Sequence, residues 1–438
     1  MQYLPNIIFA IILIIGIGFF VKNIRKLIRN IKLGKAVDRS DNKSARWKNM
    51  AKIALGQYKM VRRPVSGILH VAVYLGFVII NIEVLEIIID GLFGTHRVFQ
   101  PFLGDGVYGF LIATFEILAA IVFVAVTIFW IRRNVIRVKR FWNKEMTAWP
   151  KNDGNIILYF EMVLMSLFIL MNATDVHFQE AGIGNSISQF VAPLFNGASV
   201  ETLHVIEQSA WWIHIIGILA FLNYLYYSKH LHILLAFPNT FYANLNPKGQ
   251  FDNLESVTKE VQLMMDPSAD PYAAPPEGTE EEVPEKFGAS DVTDLNWVQL
   301  MNAYTCTECG RCTSSCPASL TGKELSPRAI MMKTRDRMEE VGKNIDANDG
   351  EFKDDGKQLL NDYISPEELW ACTSCNACVQ ECPVNIDPLS IIMDMRRYLV
   401  MEESAAPQEL NMMMTNIENN GAPWQYNQQD RLNWKDEE

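Results

Sequence analysis

Five apolar segments, each long enough to cross a lipid bilayer, constrain the fold of this 438-residue chain more than any other feature. A transmembrane helix needs about 20 predominantly apolar residues, and a helix satisfies all its backbone hydrogen bonds inside the bilayer. The segments cover residues 4–21, 65–89, 107–131, 155–176 and 210–227. We expect the fifth to continue as helix towards Phe237. Residues 1–240 are therefore predicted to form a five-helix membrane domain.

The charges between these segments indicate an orientation. Connections 22–64 and 132–154 are rich in Lys and Arg, whereas 90–106 holds only Arg97 and 177–209 holds neither residue type. Because cytoplasmic loops carry the excess of Lys and Arg, we expect the amino terminus outside the cell and everything after Ser228 in the cytoplasm. Basic residues follow the first apolar segment instead of preceding it, which predicts a retained anchor in a bacterial inner membrane and not a cleaved signal peptide.

The part of the chain after residue 240 has a different composition. Residues 1–240 carry 23 Lys and Arg against 14 Asp and Glu, whereas residues 241–438 carry 16 against 36. The soluble part is thus strongly acidic, which argues against nucleic-acid binding. All seven His lie before residue 241 and all eight Cys after it. Two compact groups of four Cys in a long chain are unlike the disulfides of a small secreted domain.

Two copies of one motif hold all eight cysteines. The first comprises Cys306, Cys309, Cys312 and Cys316 before Pro317, and the second comprises Cys372, Cys375, Cys378 and Cys382 before Pro383. Three thiolates spaced three residues apart can hold three corners of a 4Fe–4S cube, and the fourth Cys of each run is placed to bind the other cluster. This spacing predicts one cluster on Cys306, Cys309, Cys312 and Cys382 and a second on Cys372, Cys375, Cys378 and Cys316. Structural zinc is the alternative, although zinc sites rarely use such a run.

Helix signals surround the two motifs. Ser326 and Pro327 open a predicted helix over 326–341, and Pro366 opens another over 365–371. We therefore expect an α-helical two-cluster ferredoxin domain over 296–400 and an all-α fold throughout. An acidic linker rich in Pro and Ala is expected over 241–295, with an extended spacer at 266–285 that cannot bury a core. Residues 401–438 are expected to form a tail on which a partner docks.

Histidines in the membrane domain predict a haem. His70 lies near the cytoplasmic end of span two, and His230 and His232 lie at the cytoplasmic end of span five. If span five stays helical, the 18 residues from His214 to His232 make five whole turns, so both face the same way. Imidazoles from two facing helices suit b-type haem. We expect His70 and His232 as axial ligands with His230 as the competitor, and a second, outer haem would use His214 and His177. Alternatively, these His contact lipid headgroups.

Ionisable residues in the outer half of the membrane predict a quinone site. An ionised carboxylate in hydrocarbon is costly, so such residues usually face a polar cavity or a proton path. The candidates are Glu83, Glu86, Glu116, His204 and Glu207. A quinone, either menaquinone or ubiquinone, needs proton donors or acceptors beside an apolar slot. The alternative is a structural role, with protonated Glu or hydrogen bonds between helices.

Residues 1–240 resemble the haem b gamma subunit of respiratory nitrate reductase and the cytochrome subunit of membrane-bound heterodisulfide reductases. The resemblance rests on the five spans, on His70, on the pair His214 and His232, and on the run 228–233 (SKHLHI) followed by Pro238 and Asn239. It implies two haems, each bridging spans two and five. The position expected for the second ligand on span two, near Ile80 or Asn81, holds no His.

The cytoplasmic half is similar to the helical two-cluster domain of heterodisulfide reductase and of succinate dehydrogenase-type iron–sulfur subunits, through all eight Cys and both Pro. In many fused relatives this domain continues into a Cys-rich CCG module, of which the sequence up to Glu438 shows none. The resemblance implies a separate CCG subunit docked on the tail. Met412, Met413 and Met414 and the tail's Trp residues suit such a contact.

Together these features predict a membrane electron-transfer subunit that links the quinone pool to a cytoplasmic redox partner through haem b and two clusters. One alternative is a self-contained quinone reductase that accepts electrons from a soluble flavoprotein. Another is a membrane redox sensor or assembly scaffold. The sequence shows no nucleophile motif, Gly-rich phosphate loop or flavin fingerprint, so no catalytic residue is predicted.

Overall fold

The computed structural model describes residues 3–266, 268 and 286–436, and this part of the chain is helical without any strand. The all-α prediction is confirmed. Five helices are long and apolar enough to cross a membrane, and they match the five predicted segments. These are Leu4–Ile31, Pro64–Phe93, Phe99–Asn134, Ala148–Thr174 and Val200–Tyr227.

Nine α-helices precede the linker. They are α1 (Leu4–Ile31), α2 (Lys43–Met50), α3 (Pro64–Phe93), α4 (Phe99–Asn134), α5 (Ala148–Thr174), α6 (Val176–Ala181), α7 (Ser188–Val191), α8 (Val200–Tyr224) and α9 (His232–Phe241). A short π-helix, Ala51–Leu55, follows α2. Helix α4 is interrupted at Gly104, which has φ 71° and ψ 157°.

The spanning helices form a closed ring. Each of α1, α3, α4, α5 and α8 packs against the next, and α8 returns to α1. Small residues allow this close approach. A Cβ atom on Gly76 of α3 would lie 2.3 Å from Val122 of α4, and one on Gly91 would lie 2.6 Å from the Phe9 ring of α1. The ring therefore depends on glycine where α3 meets its two neighbours.

The expectation that span five continues unbroken towards Phe237 is wrong. Helix α8 ends at Tyr224, a 3₁₀ turn covers Leu225–Tyr227, and Ser228 is extended with φ −114° and ψ 148°. The Ser228 side chain accepts a hydrogen bond from the His230 backbone N–H, which starts a second turn before α9. The helix also begins ten residues earlier than predicted, at Val200, so His214 lies in its middle. The five-turn relation between His214 and His232 does not hold.

The second half of the chain forms a domain of short helices. They are α10 (Glu255–Met265), α11 (Trp297–Thr305), α12 (Arg311–Ser314), α13 (Pro317–Leu320), α14 (Pro327–Ala347), α15 (Leu359–Asp362), α16 (Pro366–Trp370), α17 (Ala377–Glu381), α18 (Pro388–Met401) and α19 (Gln408–Asn420). The Ser326 side chain caps α14, and a capping box of Ser365 and Glu368 opens α16, in agreement with the helix starts predicted from sequence.

The core of this ferredoxin domain reaches beyond the predicted boundaries. Ala289, Val292 and Leu295 are buried in it, so packed structure begins before residue 296, inside the stretch expected to be linker. Leu27 of α1 and Ala236 of α9 belong to the same core. The membrane and ferredoxin parts therefore share one hydrophobic core instead of being joined by the linker alone.

Polar contacts also fix the ferredoxin domain against the bundle. The Arg328 guanidinium, fully buried, donates to Glu145 at 2.6 Å and to the Arg140 carbonyl at 2.7 Å. The Asn239 amide donates to the Val384 carbonyl at 2.7 Å. These contacts hold the two Cys motifs beside the ends of the membrane helices. We call this the ferredoxin end of the bundle and the opposite end the distal end.

The linker and the tail each contribute one helix that lies at the surface. Helices α10 and α19 contain no buried residue. The predicted spacer 266–285 lies outside the described residues, apart from Asp266 and Ser268.

Candidate functional site

The first group of thiols surrounds one small cavity. Its lining includes Cys306, Cys309, Cys312 and Cys382, together with Cys378, Met331 and Arg328. Cys306 ends α11, and the chain then turns back through Glu308 and Gly310, which have φ of 52° and 70°. Three of the lining thiols thus come from one tight loop, and two, Cys378 and Cys382, come from the second motif.

The second group of thiols lies beside the first. The pKa of the Cys378 thiol is raised, chiefly by burial and next by Asp387. The neighbouring thiols of Cys372 and Cys316 raise it further. Burial also raises the pKa of Cys372, which neighbours Cys316 and Cys375. Cys316 of the first motif therefore lies among the thiols of the second.

The eight cysteines form no disulfide in this structure. All eight are free thiols, and they range from the buried Cys306 to the exposed Cys375. A zinc site draws its ligands onto one atom, whereas a cubane cluster spreads them over four iron atoms.

Three histidine rings meet at the ferredoxin end of the bundle. The ring centroids of His70 and His232 are 6.3 Å apart, and those of His230 and His232 are 5.3 Å apart. The Nδ1 atom of His232 lies 3.1 Å from the Lys229 carbonyl oxygen. Among the described residues, the buried Nδ1 of His70 has no hydrogen-bond partner. A metal-bound imidazole commonly donates its other N–H to a carbonyl, so His232 has the surroundings of a ligand.

One buried cation acts on both the histidine rings and the first group of thiols. The Arg311 guanidinium is buried and donates to the carbonyls of Lys59 and Met60 at 3.0 and 3.1 Å. It interacts electrostatically with His70 and with Cys309 and Cys382.

His214 and His177 have different surroundings. His214 is buried in the middle of α8, with its ring 6.2 Å from that of Phe168, and its Nδ1 has no partner within the described structure. His177 is exposed on the short helix α6 at the distal end.

A polar network occupies the distal end, where the sequence predicts a quinone site. The Glu86 carboxylate accepts from the Phe99 N–H at 2.8 Å and from the Tyr108 hydroxyl at 3.1 Å. Glu116 accepts from the Asn172 amide at 3.0 Å and from the Ile187 N–H at 2.7 Å. Both carboxylates thus have the hydrogen bonds of structural groups.

Glu83 differs from these two. Its side chain is 4% exposed, and its Oε2 atom has no hydrogen-bond partner in the residues described. It lies one turn from Glu86 on α3. A buried polar atom without a partner requires an explanation, such as a ligand or a water.

Further charged side chains of this network lie in the loop between α3 and α4 and at the end of α5. The Arg97 guanidinium donates to Asp175 at 3.0 Å, and His96 Nε2 lies 3.3 Å from the same carboxylate. The hydrogen bond to Asp175 raises the pKa of His96. Burial opposes ionisation of Asp175, but His96 and Arg97 hold its pKa well below its usual value. His204 is exposed, with Nδ1 3.3 Å from the buried carboxylate of Glu207.

Sequence reasoning missed Arg97 as the centre of this network. Besides Asp175, it donates to Asn172 at 3.1 Å and to Tyr108 at 3.3 Å. The available signal was that Arg97 is the only Lys or Arg in the loop 90–106.

Comparison with known proteins identifies the Cys-rich part. Residues 305–386 match the family described as the 4Fe-4S dicluster domain. The chain therefore contains a two-cluster iron–sulfur domain, and the prediction of iron–sulfur clusters is confirmed.

Two curated proteins are similar along 98% of this chain. The probable iron-sulfur-binding oxidoreductase FadF of Bacillus subtilis is 28% identical, and the EtfAB:quinone oxidoreductase of Syntrophomonas wolfei is 24% identical. The chain spans 61% and 59% of their lengths.

A shorter match concerns the ferredoxin domain. One subunit of the ferredoxin/F(420)H(2)-dependent CoB-CoM heterodisulfide reductase of Methanosarcina acetivorans is 31% identical over 108 residues, which are 25% of this chain and 53% of that protein. No solved structure matches this chain. These similarities support an electron-transfer role for a membrane protein with iron–sulfur clusters.

Proposed function

We propose that this chain carries electrons between a quinone in the membrane and a redox protein that docks on the ferredoxin domain. Arg311, whose guanidinium interacts electrostatically with His70 and with Cys309 and Cys382, carries this proposal. The proposed haem ligands and the proposed cluster ligands thus share one charged neighbour. Such proximity is what electron exchange between two centres requires.

The first cluster would be held by Cys306, Cys309, Cys312 and Cys382, and the second by Cys372, Cys375, Cys378 and Cys316. The shared cavity of the first group and the proximity of Cys316 to Cys372 and Cys378 support this exchange of the fourth ligand. When bound, the clusters and the haem would supply one-electron carriers. In the first group Cys306 and Cys382 are buried and the other two are half-buried, whereas Cys375 of the second group is exposed, so the partner would approach the second cluster.

The haem would be of b type, with His70 and His232 as its axial ligands. These two residues would hold the iron, and their ring centroids lie 6.3 Å apart in the structure. His230 is the competing ligand because its ring also contacts that of His232. A second haem would use His214, whose Nδ1 is buried and unpartnered within the described structure, with the exposed His177 as its proposed partner.

The quinone would bind at the distal end, among Glu83, Glu86, Glu116, His204 and Glu207. The unpartnered Oε2 of Glu83 supports this location, because a proton donor or acceptor must be free to reach the ring oxygen. Glu86 and Glu116 would shape the site through their hydrogen bonds. Menaquinone and ubiquinone both fit this chemistry.

The amino terminus would lie outside the inner membrane and the ferredoxin domain in the cytoplasm, as the loop charges favour. The partner would be a CCG-domain subunit or a flavoprotein that contacts the exposed tail helix α19. The name EtfAB:quinone oxidoreductase of one relative pairs EtfAB with quinone, which supports a quinone as one of the two redox partners. The chain spans about three fifths of that relative's length.

Stepwise reduction by quinol tests the proposal. The purified protein is placed in lipid vesicles, quinol is added without oxygen, and haem absorbance and cluster EPR signals are followed together. We expect the haem to be reduced first and the clusters after it. Reduced haem with clusters that stay oxidised would contradict the electron-carrier function and favour a sensor. Co-purification from native membranes then distinguishes a CCG subunit from a flavoprotein as the partner.

A further inference from the structure

One lysine contacts both proposed redox sites. Lys229 lies in the turn between α8 and α9. Its carbonyl oxygen lies 3.1 Å from His232 Nδ1. Its ammonium group forms an ion pair with the carboxylate of Glu308, which lies between Cys306 and Cys309 in the first Cys loop. A single residue therefore joins a proposed haem ligand to the loop of a proposed cluster.

Two cationic side chains contact the Glu308 carboxylate. Its side chain is 2% exposed, and its other carboxylate oxygen accepts a hydrogen bond from Arg335 of α14 at 2.8 Å. A carboxylate buried this deeply is stable only when its charge is compensated. Lys229 and Arg335 supply that compensation from the membrane side and from the ferredoxin side respectively.

The membrane helices hold Lys229 in place. Its ammonium group donates to the Pro150 carbonyl at 2.6 Å, and its backbone N–H donates to Asp153 at 3.1 Å. Asp153 also accepts from the Tyr224 hydroxyl at 2.6 Å. Helices α5 and α8 thus fix both the backbone and the side chain of Lys229.

We propose that Lys229, Glu308 and Arg335 form a charged triad that sets the reduction potential of the first cluster, with Lys229 as a positioning residue anchored in the membrane domain. The proposal rests on the cluster ligands proposed above. A buried charge acts strongly on a nearby redox centre because the protein interior screens it weakly. Lys229 would thereby keep the reduction potential of the first cluster close to that of the proposed haem, its neighbour across the domain interface.

The sign of the effect follows from the charges. Reduction adds one negative charge to a cluster. Two cations and one carboxylate give the triad a net charge of +1. Loss of the Lys229 ammonium lowers this net charge to zero, so the reduced state is less stabilised and the potential falls. Loss of the Glu308 carboxylate raises the net charge to +2, so the potential rises. The two substitutions therefore act in opposite directions, whereas general damage to the loop would not follow the sign of the charge.

Redox titration monitored by EPR on the whole detergent-purified protein tests this. We expect Lys229→Gln to lower and Glu308→Gln to raise the potential of one cluster only, and the double variant to return close to the parent. Lys229→Arg should keep the parent potential. Lys144→Gln is the matched control, since Lys144 is 92% exposed and pairs with Glu324 at 3.6 Å.

Shifts of the same sign in both single variants, or no shift in either, would overturn the triad. Iron and sulfide analysis of each variant shows whether its clusters are present. If the parent itself lacks a second EPR-active cluster, the proposed ligands are wrong, which is a different failure. If the Lys229→Gln protein alone does not assemble its clusters, Glu308→Gln and Arg335→Gln are compared instead. These two substitutions are expected to shift the potential in opposite directions.

Discussion

The imidazole rings of His70 and His232 face each other across the break in span five, with centroids 6.3 Å apart and planes inclined by 40°. His70 belongs to α3, whereas His232 begins α9 after the turn at Ser228. Because the turn interrupts the helix, His232 lies beside His70 in an orientation that a continuous helix would not give. It also places His230 perpendicular to His232, at 87°.

Substitution of either facing histidine should remove the haem. We expect His70→Ala and His232→Ala each to abolish the same b-type band in the reduced-minus-oxidised spectrum, because a bis-histidine haem needs both ligands. His230→Ala should keep the band. Haem content per polypeptide, measured on the parent and on His214→Ala, shows whether a second haem uses His214. An unchanged band in His70→Ala would show that the ligand assignment is wrong.

Serine substitutions should separate the two clusters by their exchanged ligands. We expect Cys382→Ser and Cys309→Ser to alter the same EPR signal, although the two residues belong to different motifs. Cys316→Ser should alter the other signal, as should Cys372→Ser. Cluster-specific EPR spectra of the four purified variants provide the measurement. If Cys382→Ser and Cys372→Ser share a signal instead, each motif holds its own cluster.

The sequence predicts the elements that depend on local patterns and misses those that depend on distant partners. The length of an apolar segment is a local property. The helix start at Ser326 and Pro327 is local as well, and in the structure the Ser326 side chain caps α14. At the break after α8 the His230 N–H donates to the Ser228 side chain and the Lys229 N–H donates to Asp153 of another helix, and hydropathy registers neither bond. Arg97 was missed because Asp175 and Asn172, its partners, lie far along the chain at the end of another helix.

The distal loop should depend on Arg97. Its side chain is 11% exposed, and its removal would leave the Asp175 carboxylate, 5% exposed, without its permanently charged partner. Breaking a buried pair in this way costs about 3 kcal/mol. We therefore expect Arg97→Met to lower the melting temperature in detergent by several degrees. Lys144→Met, at an exposed ion pair, is the control and should change nothing. Equal melting temperatures for both variants would contradict a structural role for Arg97.

The pair His96 and Asp175 should make stability depend on pH. The Asp175 carboxylate raises the pKa of His96 above its ordinary value in the folded protein. The protonated imidazole therefore stabilises the fold below the unfolded pKa near 6.5, and this contribution is lost as pH rises through the folded value. Arg97 and Glu207 also face His96, with opposite effects. We expect melting temperatures from pH 5.5 to 8.5 to fall less in His96→Gln than in the parent. Lys144→Gln, at an exposed ion pair, should follow the parent curve.

Substitution of Glu83 should slow the reaction with quinol but leave the haem spectrum unchanged. Its Oε2 is buried without a partner in the described structure, whereas Glu86 and Glu116 are engaged by backbone N–H groups. A glutamine has nearly the same shape but cannot exchange a proton, and loss of a general acid or base commonly slows a reaction roughly a hundredfold. We expect Glu83→Gln to slow haem reduction by quinol to that extent while the haem spectrum and its reduction by dithionite stay unchanged. Glu161→Gln is the matched control, because Glu161 is also a buried carboxylate but lies in the middle of α5, on another helix. Equal slowing in both variants would show that burial of charge in the bundle, and not a proton at Glu83, limits the reaction.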